Sequence, residues 1–385
     1  MSGQRNFGLD VMRAAASICV MILVHGSFWF YHLWPGLRDV WYLGSMAMDT
    51  FFVLSGFLIG WILLDTAGSG PGWVRRFWVR RWIRTLPNYY LFLLINVAIW
   101  LWTQGPVPEW PKYLVFVQNL AWVQSPFFPE SWSLALEEIF YLCAPLLLTL
   151  VASDARKPRR TLAVCGAVIV LAIVARLIWV LTAGPLWDEG VKKTVIARGD
   201  AILYGVFAVQ WVRYAQPAAR LRARLALAGV ALIVVAALIF HFSDENHSVL
   251  ARVAPFALNG AGFAMMLPYF SGLDGTRAPA FVRVVTNRLA VWSYSWYLTH
   301  LAVMRIMWAI VPPQTLGWLA TIGAFVLFVA LAITWAWANY TLFEKPVLRW
   351  RDRVFGGSEF KALANRAKPA TDTDPSDTAI VAERA

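Results

Sequence analysis

GLDVMRAAASICVMILVHGSFWF, residues 8–30, decides the fold. The stretch is apolar and long enough to cross a hydrocarbon core as a helix, which takes roughly 20 residues. It nevertheless carries Arg13 near its start and His25 near membrane depth. An imidazole there is costly without a partner or a task. A satisfied hydrogen bond between helices is the plain reading of one such histidine, so the rest of the chain has to decide. Arg5, Arg13, the apolar run and Gly26-Ser27 also have the outline of a signal peptide. The apolar pattern continues through Phe28, Trp29 and Phe30 without a small-residue cleavage site, which makes it an uncleaved first span.

The pattern repeats along the chain. Of 385 residues, 59% are apolar and only 15% charged. Apolar runs fall at about 11–31, 44–64, 86–104, 131–151, 161–182, 198–214, 225–242, 251–270, 289–311 and 317–342. These predict an all-α polytopic membrane protein of about ten transmembrane helices. A membrane barrel would show strict alternation instead, and lipid leaves no other way to satisfy the backbone. With the N-terminus in the cytoplasm, the even-numbered connections hold Arg75, Arg76, Arg80, Arg81 and Arg84, then Arg156, Lys157, Arg159 and Arg160. Arg220, Arg222 and Arg224 follow, then Arg277, Arg283 and Arg288, whereas the outer loops hold only Arg38, Lys112, Lys192 and Lys193. This is the positive-inside rule. It places both termini in the cytoplasm and accounts for the net charge of +12 without nucleic acid. The sequence thus divides into a membrane domain, 1–355, and a disordered cytoplasmic tail, 356–385, that is rich in Ala, Thr and Asp. Cys19, Cys143 and Cys165 fall inside spans without metal spacing and read as packing residues, and the scattered histidines give no metal site.

Depth follows from the helical rise. His25 lies about 20 Å up its span, in the outer half, while Asp49 lies roughly 8 Å and Glu137 and Glu138 roughly 10 Å below the outer surface. One outer layer of a histidine and three carboxylates is expected, with Arg198 and Asp200 at the outer start of the sixth span able to join it. Ser133, Glu137 and Tyr141 recur every four residues and share one helix face. The competing structural reading is a salt-bridged seam, Glu137 or Glu138 with Arg198. His300, about 16 Å from the inner face, has no acid at hydrogen-bonding spacing in its span and reads as a structural or channel-lining residue.

The connection RRFWVRRWIRTLPNYY, residues 75–90, packs five arginines into ten residues, interleaved with Phe77, Trp78 and Trp82. Guanidinium forks suit phosphate groups and the aromatic rings offer a stacking surface for a base. Anionic lipid headgroups and plain topology signalling are the alternatives.

Seven blocks, in order from residue 9 to about 350, resemble the acyltransferase-3 family of integral membrane acyltransferases. These are LDVMR (Leu9–Arg13) followed by His25; MDTFFVLSGFLIG (Met48–Gly60); RRWIRTLPNYY (Arg80–Tyr90); ESWSLALEEIFYLCAPLL (Glu130–Leu147); RGDAILYGV (Arg198–Val206); SYSWYLTHLAV (Ser293–Val303); and LFEKPVLRW (Leu342–Trp350). The family commonly places ten residues between the arginine and the histidine of the first span; Arg13 and His25 enclose eleven. Ten put the two side chains within about 20° on the helical wheel, eleven about 120° apart. Either the helix carries a π-bulge or Arg13 points elsewhere.

The resemblance implies a cytoplasmic acyl-CoA donor, acetyl in the common case, with its phosphates on Arg13, Arg76, Arg80, Arg81 and Arg84. It implies an acceptor on the outer side, a glycan or glycosylated small molecule, held by Ser133, Tyr141, Arg198 and Asp200. His25 is then the general base or a transient acyl carrier. Asp49 or Glu137 would orient its imidazole and stabilise its charged form, as a carboxylate does in a triad, and the remaining acid would bind the acceptor, with Glu138 counted beside them as a catalytic candidate. The location implied is a bacterial inner membrane, with no metal required. A transporter or flippase without acyl chemistry is the alternative, since ten spans with buried charges would also suit a coupled carrier.

Overall fold

The computed structural model describes residues 5–66, 72–151 and 158–355, and among them every regular element is helical. Ten long helices follow one another: α1 (Phe7–Ser27), α2 (Arg38–Thr66), α3 (Trp73–Thr103), α4 (Ser131–Val151), α5 (Pro158–Ala183), α6 (Leu203–Ala215), α7 (Ala219–His241), α8 (Val249–Phe270), α9 (Ala280–Ile310) and α10 (Trp318–Val354). They correspond one to one with the apolar runs. Seven, namely α1, α2, α3, α5, α7, α8 and α10, contain a stretch long and apolar enough to cross a membrane. The 13-residue α6 is shorter than a hydrocarbon core. The surface is that of a protein in lipid, for Leu94, Leu227 and Leu319 project outward at 68%, 71% and 86% exposure. Such a surface in water would aggregate. The tail at 356–385 lies outside the described residues.

Small residues set the closest approaches between helices, as they do where lipid gives no hydrophobic drive to associate. A Cβ at Gly56 of α2 would lie 1.9 Å from the Ile202 carbonyl oxygen, and one at Gly205 of α6 would lie 2.0 Å from that of Val53. Side chains of α1, α2, α3, α4, α9 and α10 share a core that includes Phe52, Phe92, Trp132, Leu298 and Phe328.

One expectation changes at this level. The arginine-rich stretch is not a connection: α3 begins at Trp73, and Arg75 to Arg84 form its first third. No Gly or Pro interrupts residues 73–86, and Arg, Trp, Val and Ile tolerate the helix. Pro87 is carried inside it.

Candidate active site

His25 is positioned by a defect in α1. The helix is α-helical to Ile18, widens into a π-helical segment over Cys19–Val24, and resumes at His25. One wide turn absorbs one extra residue, as π-bulges do at functional sites. Twelve steps from Arg13 to His25 then turn like eleven, which returns the two side chains to within about 20° of one face.

The imidazole meets another imidazole. His25 Nδ1 lies 2.9 Å from His300 Nε2, and His300 Nδ1 lies 3.1 Å from the Trp296 carbonyl oxygen. A carbonyl only accepts, so His300 Nδ1 carries a proton and, in the neutral ring, its Nε2 bears a lone pair. His25 Nδ1–H therefore donates to it, leaving His25 Nε2 with a lone pair and no hydrogen-bond partner among the described residues. His300 is fully buried, while His25 keeps accessible surface. The expectation that Asp49 or Glu137 orients the imidazole is not met; His300, read from the sequence as a structural residue, occupies that position.

The carboxylates do not form one layer with His25. Glu137 accepts from Arg81 (3.3 Å) and from the Tyr141 hydroxyl (2.6 Å), and Tyr141 also bonds Arg81 and Ser55. The Arg81 guanidinium stacks over the Tyr141 ring at 3.9 Å. Glu138 accepts from Thr85 (2.7 Å), and Tyr294 of α9 donates to the Thr85 carbonyl (2.9 Å). Ser133 bonds the Tyr297 hydroxyl at 2.7 Å. Three residues separate Tyr297 from His300 on α9 and four separate Ser133 from Glu137 on α4, so Glu137 lies about 10 Å from the histidines, towards the arginines. The reason for the difference is where α4 begins. The connection at 104–130 folds into the bundle, burying Tyr113, Phe127 and Phe128, and α4 starts beside Tyr297 rather than at a membrane surface. Glu130, the residue just before α4, is buried there with both carboxylate oxygens unpartnered among the described residues. Burial pushes Glu130 up to about 7, against the pull of Arg305.

A line of side chains connects the two levels. Arg13, Arg81, Glu137, Tyr294 and His25 are half-buried and retain accessible surface, and Arg84 is exposed. Arg13, Arg81 and Arg84 are close enough for their charges to act on one another. Arg80 and Arg76 stand apart. Arg80 donates to the Phe355 carbonyl (2.8 Å) and lies 3.6 Å from Asp352 at the end of α10, and Arg76 is on the exposed surface of α3.

The remaining candidates form a separate buried network. Asp49 pairs with Arg198 and accepts from Asn259 (3.3 Å), and Asp200 pairs with Arg176 and with the Tyr204 hydroxyl (3.4 Å). Arg176 also donates to the carbonyls of Ala197 (2.6 Å) and Val253 (3.2 Å). These groups tie α2, α5 and α8 to the segment before α6. Above them a π-helical segment at Trp187–Lys192 turns Lys192 inward, where it bonds Ser45 (3.2 Å) and Asp188 (2.7 Å). Although burial opposes it, Lys192 and Lys193 hold Asp188 down to about 2. The seam expected for Glu137 or Glu138 with Arg198 therefore exists with Asp49 as the acid.

An acyltransferase domain model of the acyltransferase-3 family matches residues 6–338, from the first helix cap to about midway along α10. The chain belongs to the acyltransferase-3 family. It is similar to acyltransferase MdmB of Streptomyces mycarofaciens, 28% identical over 86% of this chain and 87% of that one. It is also similar to the provisionally named peptidoglycan O-acetyltransferase YrhL of Bacillus subtilis (strain 168), 32% identical over 43% of this chain. A provisionally named O-acetyltransferase of Staphylococcus aureus (strain COL) is 30% identical over 39% of the chain. The match covers 27% and 26% of those last two proteins. No solved structure gives a significant match. The protein is thus a membrane acyltransferase for groups other than aminoacyl, which sets aside the carrier reading.

Proposed function

We propose that the protein moves an acyl group, acetyl in the common case, from acyl-CoA to a hydroxyl of a carbohydrate-type acceptor, with His25 as general base. The observation that carries this is the free Nε2 of His25, aimed by His300 and standing at one end of a series of partly accessible side chains that begins among arginines. The distribution of Arg and Lys supports a cytoplasmic arginine end, where the donor would enter, and the acceptor would approach from the opposite face. Peptidoglycan in the name of the Bacillus relative supports a glycan acceptor.

Distances along the helices suit the donor. Six residues separate His300 from Tyr294 and four separate Thr85 from Arg81, about 15 Å of helix in all. A pantetheine arm, built like about four extended peptide units, reaches roughly 14 Å. A thioester at His25 therefore leaves the phosphates beside Arg13, Arg81 and Arg84.

In the reaction His25 Nε2 takes the acceptor hydroxyl proton as the oxygen bonds to the thioester carbonyl carbon. The tetrahedral adduct collapses, the carbon–sulfur bond breaks, and the thiolate recovers the proton from His25. The products are an ester and the CoA thiol, with no proton gained or lost. His300 keeps the lone pair on Nε2 throughout and shares the imidazolium charge, a positioning role.

The test is acetyl transfer from labelled acetyl-CoA to endogenous acceptor in membrane vesicles. His25→Ala should lose the transfer while still binding CoA. Near-normal transfer by that variant would refute the base assignment, and an absence of CoA binding in the wild type would refute the donor.

A further inference from the structure

The arginine end holds more positive charge than its acids neutralise. Asp10 is taken by Arg5, Glu137 by Arg81 and Tyr141, and Asp352 by Arg351 and Arg80. Glu344 acts on Arg84 through its charge, but its carboxylate accepts from Ser295 at 2.6 Å. The side chains of Arg13, Arg84 and Arg349 make no hydrogen bond or ion pair with any described residue. Arg81 also keeps a buried, unpartnered Nε. Like charges gathered this closely repel, and such a set attracts a polyanion.

Arg349 comes to this cluster from the far end of the chain, by a second helical defect. α10 is π-helical over Tyr340–Glu344 and then continues as Lys345–Val354. This last piece is clamped against the arginine-bearing third of α3 by the bonds from Arg80 to Phe355 and Asp352. Tyr340 at the start of the π turn sits among the charges of Arg5, Arg84 and Arg349. Arg349 is exposed, whereas Arg13 and Arg81 are half-buried.

We propose that Arg349 is a second arm of the donor's phosphate site, holding the phosphate farthest from the thioester, the phosphomonoester on the ribose, while Arg13 and Arg84 hold the diphosphate. The inference rests on acyl-CoA being the donor. A guanidinium fork matches a phosphate doubly, and a phosphomonoester offers it up to two charges. An anionic lipid headgroup offers the same chemistry at the same membrane face, so the experiment has to separate the two sources.

The experiment is equilibrium binding to the full-length protein in phosphatidylcholine nanodiscs, with CoA, dephospho-CoA and pantetheine as probes. Wild type should bind CoA about tenfold more tightly than dephospho-CoA. Arg349→Ala should abolish that difference while leaving pantetheine affinity unchanged, and Arg349→Lys should restore part of it. Arg220→Ala, an exposed arginine on α7, should change nothing. An undiminished preference for CoA in Arg349→Ala would overturn the proposal, as would an equal loss for pantetheine, which would mark a structural role. So would a loss confined to phosphatidylglycerol vesicles, which would make the arm a lipid clamp. If wild type binds none of the three probes, the donor itself is wrong and the inference falls with it.

Discussion

Replacing His300 tests the chemistry without touching the base. His300→Ala removes one neutral hydrogen bond of 2.9 Å and the constraint that keeps the His25 proton on Nδ1. A neutral hydrogen bond contributes about 1 kcal/mol net, roughly a fivefold bias towards the aimed ring. Freedom to carry the proton on Nε2 instead takes a further share of molecules out of action, so kcat should fall about 10- to 50-fold. The KM for acetyl-CoA should stay within about twofold, because the arginines lie about 15 Å away along the helices. Loss of the base itself, in His25→Ala, should remove the 10²- to 10⁴-fold that proton transfer contributes. The double variant should be no slower than His25→Ala alone, since His300 acts only through His25. Labelled acetyl transfer in vesicles reads all three. His300→Gln, whose amide offers an acceptor to His25 and a donor to the Trp296 carbonyl, should recover part of the rate. His300 is fully buried, so Ala also leaves a cavity costing about 2 kcal/mol, and rates have to be normalised to folded protein by thermal unfolding. A double variant slowed by the product of the single effects would refute the reasoning, because His300 would then act on its own.

Arg84→Ala should raise the Kd for CoA at least tenfold with little loss of thermal stability, since Arg84 has no partner among the described residues to abandon. Arg81→Ala should cost about 2 kcal/mol of stability besides, because it strands Glu137; that is below the cost for a fully buried pair, since the two side chains keep 15% and 17% exposure. Unfolding temperatures and CoA binding measured side by side check both. For Glu130, a folded-state value raised from 4.5 to about 7 means that the unfolded chain gives up its proton first. The residue subtracts nothing from stability below about pH 4.5 and increasingly more as pH rises to 7, up to about 3 kcal/mol. Glu130→Gln should accordingly stabilise the protein at pH 8 and leave it unchanged at pH 4, and equal melting shifts at the two pH values would be the contrary result. Deleting Leu23, whose side chain is 40% exposed on the π segment, should convert that turn to regular α-helix. His25 would stay on the face of Arg13 and labelled acetyl transfer would be retained, whereas inserting an alanine there should abolish it.

Much of this was legible in the sequence, and the rest failed for identifiable reasons. Apolar runs located all ten long helices, because lipid-facing length and hydropathy are local properties of a stretch. The spacing of Arg13 and His25 posed the right question, and the wide turn answered it. Partners were less legible. His300 stands at a depth comparable with that of His25 when both are counted from the arginine end, about 16 Å against 20 Å, and that agreement was the available signal. Counting acids as the natural partners of an imidazole obscured it. Depth counted from the ends of runs failed for α4 because its entry is inside the bundle, where the folded connection at 104–130 replaces the membrane surface as the starting line. Sequence alone cannot pair Asp49 with Arg198 rather than with His25, since both lie across helix interfaces that hydropathy does not specify.

The separation of the charged groups has a consequence for the chemistry. Had Asp49 or Glu137 touched His25, the imidazolium would have been stabilised at rest by a full negative charge. Instead Asp49 and Glu137 are spent on arginines, and the base is aimed by a neutral ring that is itself held by the Trp296 backbone carbonyl. A carboxylate partner would favour a resting proton on Nε2; a neutral partner favours the lone pair that attack on a thioester requires. His300→Glu separates these ideas. It places a carboxylate where His300 Nε2 now accepts, so transfer should fall at neutral pH and recover as pH rises and the ring loses its proton. A variant as active as wild type at neutral pH, with an unshifted profile, would show that the neutral partner is incidental to the mechanism.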